Sequence, residues 1–346
     1  MENHFSLQFK VEDFMPASSE EKQSLVVMRK SVSFWQDGFR RLRSNAVAMV
    51  SAAVLLLIII LTFIVPIFYP YSYEQQQKGV ENLSPMRYSS NEQAMIASGE
   101  KVFPHILGTD SLGRDYAVRV MAGGRISLIV GIIASAIIFF IGSIYGAISA
   151  FFGGKVDIIM MRIVDIIYTL PDILMIVLIS FALKAPLQQL ARMPSFEWLS
   201  ALGVNLVSIF LVFALLYWVG MARIVRSQVL SLKESDFVMA ARALGASNAR
   251  IISKHLLKNC IGTLIVITTL QIPISIFTES FLSFLGLGVA APMPSLGSLA
   301  SAALNGIYTY PYLLLSPALL IALIILSFNL LGDGLRDAFD PKLKQE

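Results

Sequence analysis

Six segments of this chain are apolar over the roughly 20 residues that an α-helix needs to cross the hydrocarbon core of a membrane. They lie near residues 46–68, 127–150, 163–183, 203–222, 262–285 and 312–331. Only 14% of the 346 residues are charged, against about a quarter in soluble domains. The mean hydropathy, +0.70, is likewise that of a strongly apolar chain. Because lipid offers no hydrogen-bond partners to the backbone, we predict an all-α integral membrane protein with six transmembrane helices.

Positive charge is distributed unevenly between the two sets of connecting segments. Nineteen of the 27 Lys and Arg residues lie in the two terminal segments and in the segments that join spans two to three and four to five. Short cytoplasmic loops carry an excess of positive charge, so we predict that both termini face the cytoplasm (N-in, C-in). The net charge of +4 follows from this topology and does not indicate a nucleic-acid partner.

The apolar spans divide the chain into five regions. The predicted regions are a cytoplasmic N-terminal segment (1–45), the first transmembrane helix (46–68), an extracytoplasmic loop (69–121), a domain of five transmembrane helices (122–333) and a cytoplasmic tail (334–346). Residues 1–30 are polar and are expected to contribute little fixed structure. Residues 33–45 predict an amphipathic helix that lies along the lipid of the inner leaflet, with binding to a partner protein as the alternative.

The extracytoplasmic loop contains the sequence HILGTDSLGRDY, in which glycines and aspartates provide turn-forming residues around one arginine. Asp110, Arg114 and Asp115 are its candidate functional residues. One interpretation is a compact loop that contains an internal Arg–Asp pair. The other is a cap over the outer mouth that meets a substrate or a delivery protein. The sequence does not separate the two.

The polar segment between spans four and five is larger and more basic than a helix bundle needs, with seven Lys or Arg from Arg223 to Lys258. Ser235 or Asp236 can cap a short helix, and Gly245 can adopt the left-handed conformation that ends it. Ser247 or Asn248 can cap the following helix. We call residues 235–259 the inner elbow. Its small side chains, Ala240, Ala241, Ala243 and Ala246, predict a low surface that enters a groove of a second protein.

Three spans contain residues that predict special packing, bends or function. Glu279 is the ionisable residue most deeply embedded in apolar sequence, and such residues are functional candidates by default. It could meet a cationic ligand group such as an amino terminus, or pair with Arg or Lys of a partner; the alternative is a hydrogen-bonded structural carboxyl. Pro171 and Pro273 could bend spans three and five, as static bends or as hinges. Gly142 and Gly146 form a G-x-x-x-G that predicts close helix packing.

The inner elbow resembles the EAA loop of ATP-binding-cassette (ABC) importer permeases, whose pattern is Glu-Ala-Ala, three residues, Gly, then a run toward Ile-x-Leu-Pro. The match in register covers Ala240, Ala241, Gly245 and Leu257. Met239 stands at the usual Glu position and Lys258 at the usual Pro position. Glu234 and Asp236 are the carboxylates nearest to the missing glutamate. The resemblance implies that Ala240, Ala241, Gly245, Ala246, Ser247 and Leu257 couple this chain to an ATPase.

Further stretches resemble the C-type subunit of the oligopeptide and dipeptide permease group. They are LGTDSLGRD, GGRISL from Gly123, GGKVDIIMMRIVDI from Gly153, ESFLSFLGLGVAAP from Glu279 and GDGLRDAFDPKL from Gly332. The resemblance implies a type I importer fold with a cytoplasmic coupling helix. It further implies that the importer moves peptides across the membrane by alternating access. It also implies a homologous B-type permease, two ATPase subunits that bind ATP and Mg, and an extracytoplasmic peptide-binding protein as partners.

The sequence contains no G-x-x-x-x-G-K-[ST] loop to cradle ATP phosphates. We therefore expect no enzymatic activity, no catalytic residues and no cofactor in this chain. One cysteine, Cys260, excludes a disulfide framework and a multi-cysteine metal site, and the three histidines lie in separate segments. Two other classes of function stay open. An ion-driven secondary transporter predicts several intramembrane carboxylates, and a membrane scaffold would use the basic elbow only to recruit a partner.

Overall fold

The computed structural model describes residues 33–289 and 292–339. The predictions for residues 1–30, for Ala290 and Ala291, and for the tail beyond Phe339 concern residues outside this part. The helices of the described part are α1 (Phe34–Ser44), α2 (Ala46–Phe68), α3 (Ser90–Ala97), α4 (Tyr116–Phe152), α5 (Gly154–Tyr168), α6 (Asp172–Ala191), α7 (Glu197–Leu202), α8 (Val204–Leu232), α9 (Asp236–Ala243), α10 (248–259), α11 (Ile261–Phe284), α12 (Leu296–Ala303) and α13 (Pro311–Phe339).

Six of these helices, α2, α4, α6, α8, α11 and α13, are long and apolar enough to span a membrane. Within the described residues there is no strand, and the only strand-like pairing is an isolated bridge between Thr109 and Asp115. The prediction of an all-α, six-span protein is therefore confirmed. The first span is found at the predicted residues 46–68, because its ends coincide with Asn45, which caps the helix, and with the extended Tyr69.

The third span is not where the sequence predicted it. The expected segment, 163–183, is divided between α5, which ends at Tyr168, and α6, which begins at Asp172. Pro171 stands at the N-terminal boundary of α6 in an extended conformation. It separates two helices instead of bending one, because proline disfavours helical geometry in the residue before it. Pro273 does lie inside a span, α11, as expected.

Three spans are longer than their apolar segments. The helix α4 has 37 residues and begins at Tyr116 instead of near residue 127, because the Asp115 carboxylate accepts a hydrogen bond from the Val118 amide (3.0 Å) and caps it. Similarly, α8 and α13 continue to Leu232 and Phe339. Hydropathy marks only the part of a helix that lies in lipid, about 30 Å. All three helices are therefore longer than the roughly 20 residues that crossing the hydrocarbon core needs.

Small residues let α4 and α8 approach closely, as the G-x-x-x-G motif predicted. A Cβ atom added to Gly142 would lie 2.8 Å from the Trp218 carbonyl oxygen, and one added to Gly146 would lie 2.3 Å from that of Ala222. Both contacts are with backbone, which cannot rotate away. This interface joins α4 to α8, the helix that leads to the inner elbow.

Replacement of Gly146 by alanine is expected to destabilise the protein by about 1–3 kcal/mol, because overpacking a close helix contact forces backbone shifts. The midpoint of thermal unfolding in detergent measures this. Gly220→Ala, on the partner helix α8, is the control, since an added Cβ there meets no atom within 4 Å and alanine favours the helix by about 1 kcal/mol. Equal stability of the two variants would contradict the packing described here.

The described residues form three buried apolar clusters, of which two are large and the third joins α5 to α8. The inner cluster joins α4, α8, the elbow and the start of α11, with Phe151, Val225, Val238, Ile251 and Leu264 among its members. The outer cluster joins α2, α4, α11, α12 and α13. The helix α6 contributes little to either, and most of its surface is exposed in the isolated chain.

The amphipathic helix α1 is present, and it packs on the end of the last span. The ring of Phe339 lies between Phe34 (5.4 Å between ring centroids) and Trp35 (5.7 Å), and Gly38 leaves room for it. Trp35 and Phe39 stay partly exposed. The helix thus closes the bundle at α13 and still presents an apolar surface, as a helix on a membrane would.

Candidate functional site

The inner elbow forms by local rules at both of its caps. The helix α9 ends in a Schellman motif: Gly245 has φ +77°, its amide donates to the Arg242 carbonyl (2.9 Å), and the Ala246 amide donates to the Ala241 carbonyl (3.0 Å). The Ser247 hydroxyl then accepts from the Arg250 amide and caps α10. These two predictions are confirmed. Ser235 occupies the N-cap position of α9, but its hydroxyl donates back to the Leu232 carbonyl instead.

The exposed surface of the elbow differs from the one predicted. Ala241 is buried and Ala246 is half-buried against the inner apolar cluster, because helical spacing turns position 241 to the same side as Val238. The side facing outward is larger and more apolar than expected. Its exposed members are Phe237, Met239, Ala240, Ala243 and Leu244, and Leu244 is 89% exposed. An apolar patch of this kind marks an interaction surface.

The elbow is continuous with the apolar core of the bundle. The inner apolar cluster, which includes buried residues of α4 and α8, also contains Val238 and Ala241 of α9 and Ile251 and Leu256 of α10. Leu257 packs partly against it. The Arg242 guanidinium lies 5.3 Å from the Phe151 ring at the end of α4. Because packed interiors transmit displacement, a force applied to α9 acts directly on α4, α8 and α11.

Two ion pairs join α5 to α8 near this elbow. Arg226 binds both oxygens of Asp157, at 2.6 and 2.5 Å, and the Ser149 hydroxyl donates to the same carboxylate at 2.6 Å. Hydrogen bonding to Arg226 holds the pKa of Asp157 below its usual value. Arg223 pairs with Asp165 at 2.8 Å. The sequence analysis missed these pairs, because their members lie 58 and 69 residues apart.

A cavity of about 200 Å³ lies at the break between α5 and α6. Its walls come from α5, α6, α8 and α11, and Asp172, Tyr217 and Gln271 are polar groups on them. The Tyr217 hydroxyl and the Thr278 hydroxyl are hydrogen-bonded at 3.1 Å. The cavity therefore brings together polar groups from α6, α8 and α11.

Glu279 lies in a serine cluster that joins α4, α11 and α12. Its carboxylate accepts hydrogen bonds from the hydroxyls of Ser127 (2.8 Å) and Ser283 (2.7 Å), and Ser280 is 3.4 Å away. The side chain is completely buried. In this conformation it faces neither a cavity nor an open surface, so the geometry favours the structural alternative over contact with a peptide or a second subunit.

The loop at residues 69–115 contains the internal Arg–Asp pair that one interpretation predicted. The Asp110 carboxylate accepts from the Arg114 Nε at 2.7 Å and from the amides of Leu112 and Arg114. Gly108 and Gly113 have positive φ. The loop is held on the bundle by Tyr312, whose hydroxyl donates to the Leu83 carbonyl at 2.9 Å. It is thus a folded loop, in which Asp110 and Arg114 have structural partners; the alternative of a cap over the outer mouth stays a prediction.

His105 connects several parts of the loop at residues 69–115 and was not predicted as part of any site. It is fully buried, its Nδ1 lies 2.8 Å from Asp115 and its Nε2 lies 3.1 Å from Glu92, and Tyr71 stacks on it at 4.6 Å. Burial works to lower the pKa of His105, but hydrogen bonds and charge from Asp115 and Glu92 outweigh it and raise the pKa above 6.5. His105 therefore links Asp115, the N-cap residue of α4, to Glu92 in the first turn of α3.

The raised pKa of His105 predicts that the stability of the loop at residues 69–115 depends on pH. Because the folded-state pKa lies above the unfolded value of 6.5, the stabilisation is complete below pH 6.5 and decreases as the pH rises through the folded-state pKa. We expect proteolysis within residues 69–115 to accelerate over that interval. In His105→Asn, cleavage should be fast already at pH 6 and should change little with pH. A wild-type cleavage rate that is constant across this interval would contradict the assignment.

Two families match the sequence. The family described as binding-protein-dependent transport system inner membrane component matches residues 138–345, and the N-terminal TM domain of oligopeptide transport permease C matches residues 33–85. Similar proteins include the oligopeptide permease protein OppC of Bacillus subtilis (39% identity; 96% of this chain, 97% of the relative) and its dipeptide counterpart DppC (39%; 96% and 93%). OppC of Escherichia coli is 37% identical over 90% of this chain and 92% of its own.

Proposed function

The chain belongs to the binding-protein-dependent transport system inner membrane components, in the permease C group of oligopeptide and dipeptide transporters, and we propose that its inner elbow couples it to the ATPase of that system. It is a multi-pass bacterial inner-membrane protein and the permease subunit of a peptide-importing ABC transporter. Hydrolysis of ATP takes place in a separate subunit of such transporters. The chain itself supplies the path and the moving helices.

The partners follow from this membership and from the exposed surfaces. We propose a complex with a homologous B-type permease, two ATPase subunits and an extracytoplasmic peptide-binding protein. The exposed side of α6 supports the B-type permease as a partner, since a helix with few internal contacts is available to a second bundle. The exposed apolar surface of α9 supports the ATPase subunits as partners, provided that both termini face the cytoplasm. ATP and Mg would bind to the ATPase subunits.

The observation that carries the coupling proposal is the continuity of the elbow with the inner apolar cluster. ATP binding brings the ATPase subunits together and displaces α9. The displacement tilts α4, α8 and α11, and the ion pairs of Arg223 and Arg226 carry α5 with them. The cavity at the α5–α6 break changes its access from one side of the membrane to the other. Such a shift requires that nucleotide binding differ between the two states.

Reconstitution of the chain with its neighbouring subunits in proteoliposomes tests the function. We expect uptake of labelled peptide that requires ATP inside and peptide-loaded binding protein outside, and ATP turnover that rises when the loaded binding protein is added. Uptake driven by an ion gradient without ATP would identify a secondary transporter. Binding of the ATPase without uptake of any peptide would identify a scaffold. Either result would refute the proposal.

A further inference from the structure

A second cavity, of about 280 Å³, lies on the outer side of the bundle between the loop 69–115 and the segment 299–313. Arg119, on the first turn of α4, borders it and is only 8% exposed. Its Nε and Nη1 atoms are buried and have no hydrogen-bond partner within the described structure. A buried guanidinium whose hydrogen bonding is incomplete is costly, so an anion that completes its pairing would be stabilising.

The nearest carboxylate does not supply that group. Asp110 lies 3.5 Å from the Arg119 Nε, too far for a good hydrogen bond. One Asp110 oxygen accepts from the amides of Leu112 and Arg114, and the other accepts from the Arg114 guanidinium at 2.7 Å. Two arginines thus share one carboxylate that is already engaged by Arg114. The cavity is left with one unneutralised positive charge.

The walls of the cavity indicate which anion would fit. Asn82, Ser111 and Asn305 contribute polar groups to the walls, and Leu299 and Leu313 contribute apolar ones. A carboxylate matches the planar fork of a guanidinium, and a short organic stem matches the apolar wall residues better than a hydrated inorganic ion does. We propose that this cavity is a carboxylate-binding site whose anchor is Arg119.

Two sources of carboxylate reach this side of the membrane, namely the C-terminus of a peptide and an acidic side chain of the delivery protein. The size of the cavity accommodates either group. Assignment to the peptide rests on the proposed function, whereas the site itself rests only on Arg119 and its surroundings. The experiment therefore has to read the site directly and separate the two sources.

Chemical modification of arginines by phenylglyoxal reads the site without any mutation. The complex in nanodiscs is treated with the reagent alone, with trialanine, with trialanine amide, and with the peptide-free binding protein, and the modification of each arginine is followed by mass spectrometry. We expect trialanine at about ten times its dissociation constant to slow modification of Arg119 about tenfold, and the amide to have no effect. Arg87, exposed on the same loop, is the internal control.

Each outcome decides the proposal. Protection by trialanine but not by its amide assigns the site to the peptide, and protection by the binding protein alone assigns it to an acidic side chain of that protein. If no carboxylate source changes the Arg119 rate, or if the amide protects as well as the acid, the proposal is wrong. Because the readout is independent of uptake, it stays informative if the complex proves not to import peptides.

Variants provide a second measurement. Arg119→Met should raise the KM for uptake, measured against the concentration of whichever partner protects Arg119, the peptide or the binding protein. The expected rise is about tenfold for each 1.4 kcal/mol of lost pairing, and the maximal rate should change little. Arg119→Lys should restore part of the affinity as a point charge. Arg87→Met, which removes an equal charge from the same face, should leave KM unchanged. Equal KM values for wild type and Arg119→Met would overturn the proposal.

Discussion

Replacing Gly245 by valine is expected to reduce peptide uptake more than tenfold while the protein still accumulates in the membrane. Gly245 has φ +77°, a conformation that costs a non-glycine residue about 1–2 kcal/mol and a β-branched one more. An added Cβ meets no atom of this chain within 4 Å, so the bundle itself is not disturbed. The end of α9 unwinds, and ATP hydrolysis continues without transport.

The controls for this prediction separate backbone strain from position. Gly245→Asn, which tolerates the left-handed region, should retain most of the uptake. Gly99 also has a positive φ (+95°) and free space around it, but it lies in the outer loop. Gly99→Val should therefore carry similar local strain and keep uptake coupled to ATP hydrolysis. Normal uptake by Gly245→Val, or an equal loss in Gly99→Val, would refute the role of the elbow.

Replacing Glu279 by leucine should strongly destabilise the folded protein. The substitution removes the acceptor from Ser127 and Ser283, which are buried and which join α4 to α11. Each unsatisfied buried hydroxyl costs about 1–3 kcal/mol, so we expect a loss of about 3 kcal/mol or more. Thermal unfolding in detergent and the amount of protein in membranes measure it.

Glu279→Gln distinguishes a structural carboxyl from one that acts by its charge. The amide has the same shape, and the serine hydroxyls can reorient to accept from it as well as donate to it. We expect this variant to unfold close to the wild-type temperature and to transport at a similar rate. A stable Glu279→Gln that no longer imports peptide would show that the charge is used in transport, and the structural interpretation would then be wrong.

Local signals in the sequence predicted local structure well. The first span, the caps at Gly245 and Ser247, and the close packing at Gly146 each depend on a few neighbouring residues and were confirmed. The side of α9 that faces the core was not predicted, because Ala240 and Ala241 are equally small and only packing against Val238 decides which is buried.

The remaining features depend on residues that are distant in the sequence. His105 acquires its role from Glu92 and Asp115, 13 and 10 residues away across a folded loop. Arg119 is one of many basic residues in the sequence, and only the cavity beside it and the engagement of Asp110 by Arg114 distinguish it. The pairing of Asp110 with Arg114 was one of two interpretations of the sequence, but the contacts of His105 and the cavity beside Arg119 could be found only in the structure.

The most direct test of coupling is thiol crosslinking from the elbow in the assembled transporter. Cys260 is the sole cysteine of the chain and is buried, so Leu244→Cys introduces one exposed thiol on the outward side of α9. The control is Tyr308→Cys, at a residue that is 99% exposed beyond α12, which the predicted topology places across the membrane from Leu244. The account predicts that a short bifunctional reagent joins position 244, and not position 308, to an ATPase subunit, in a yield that changes with ATP. Failure of position 244 to capture the ATPase, or capture from position 308, would contradict it.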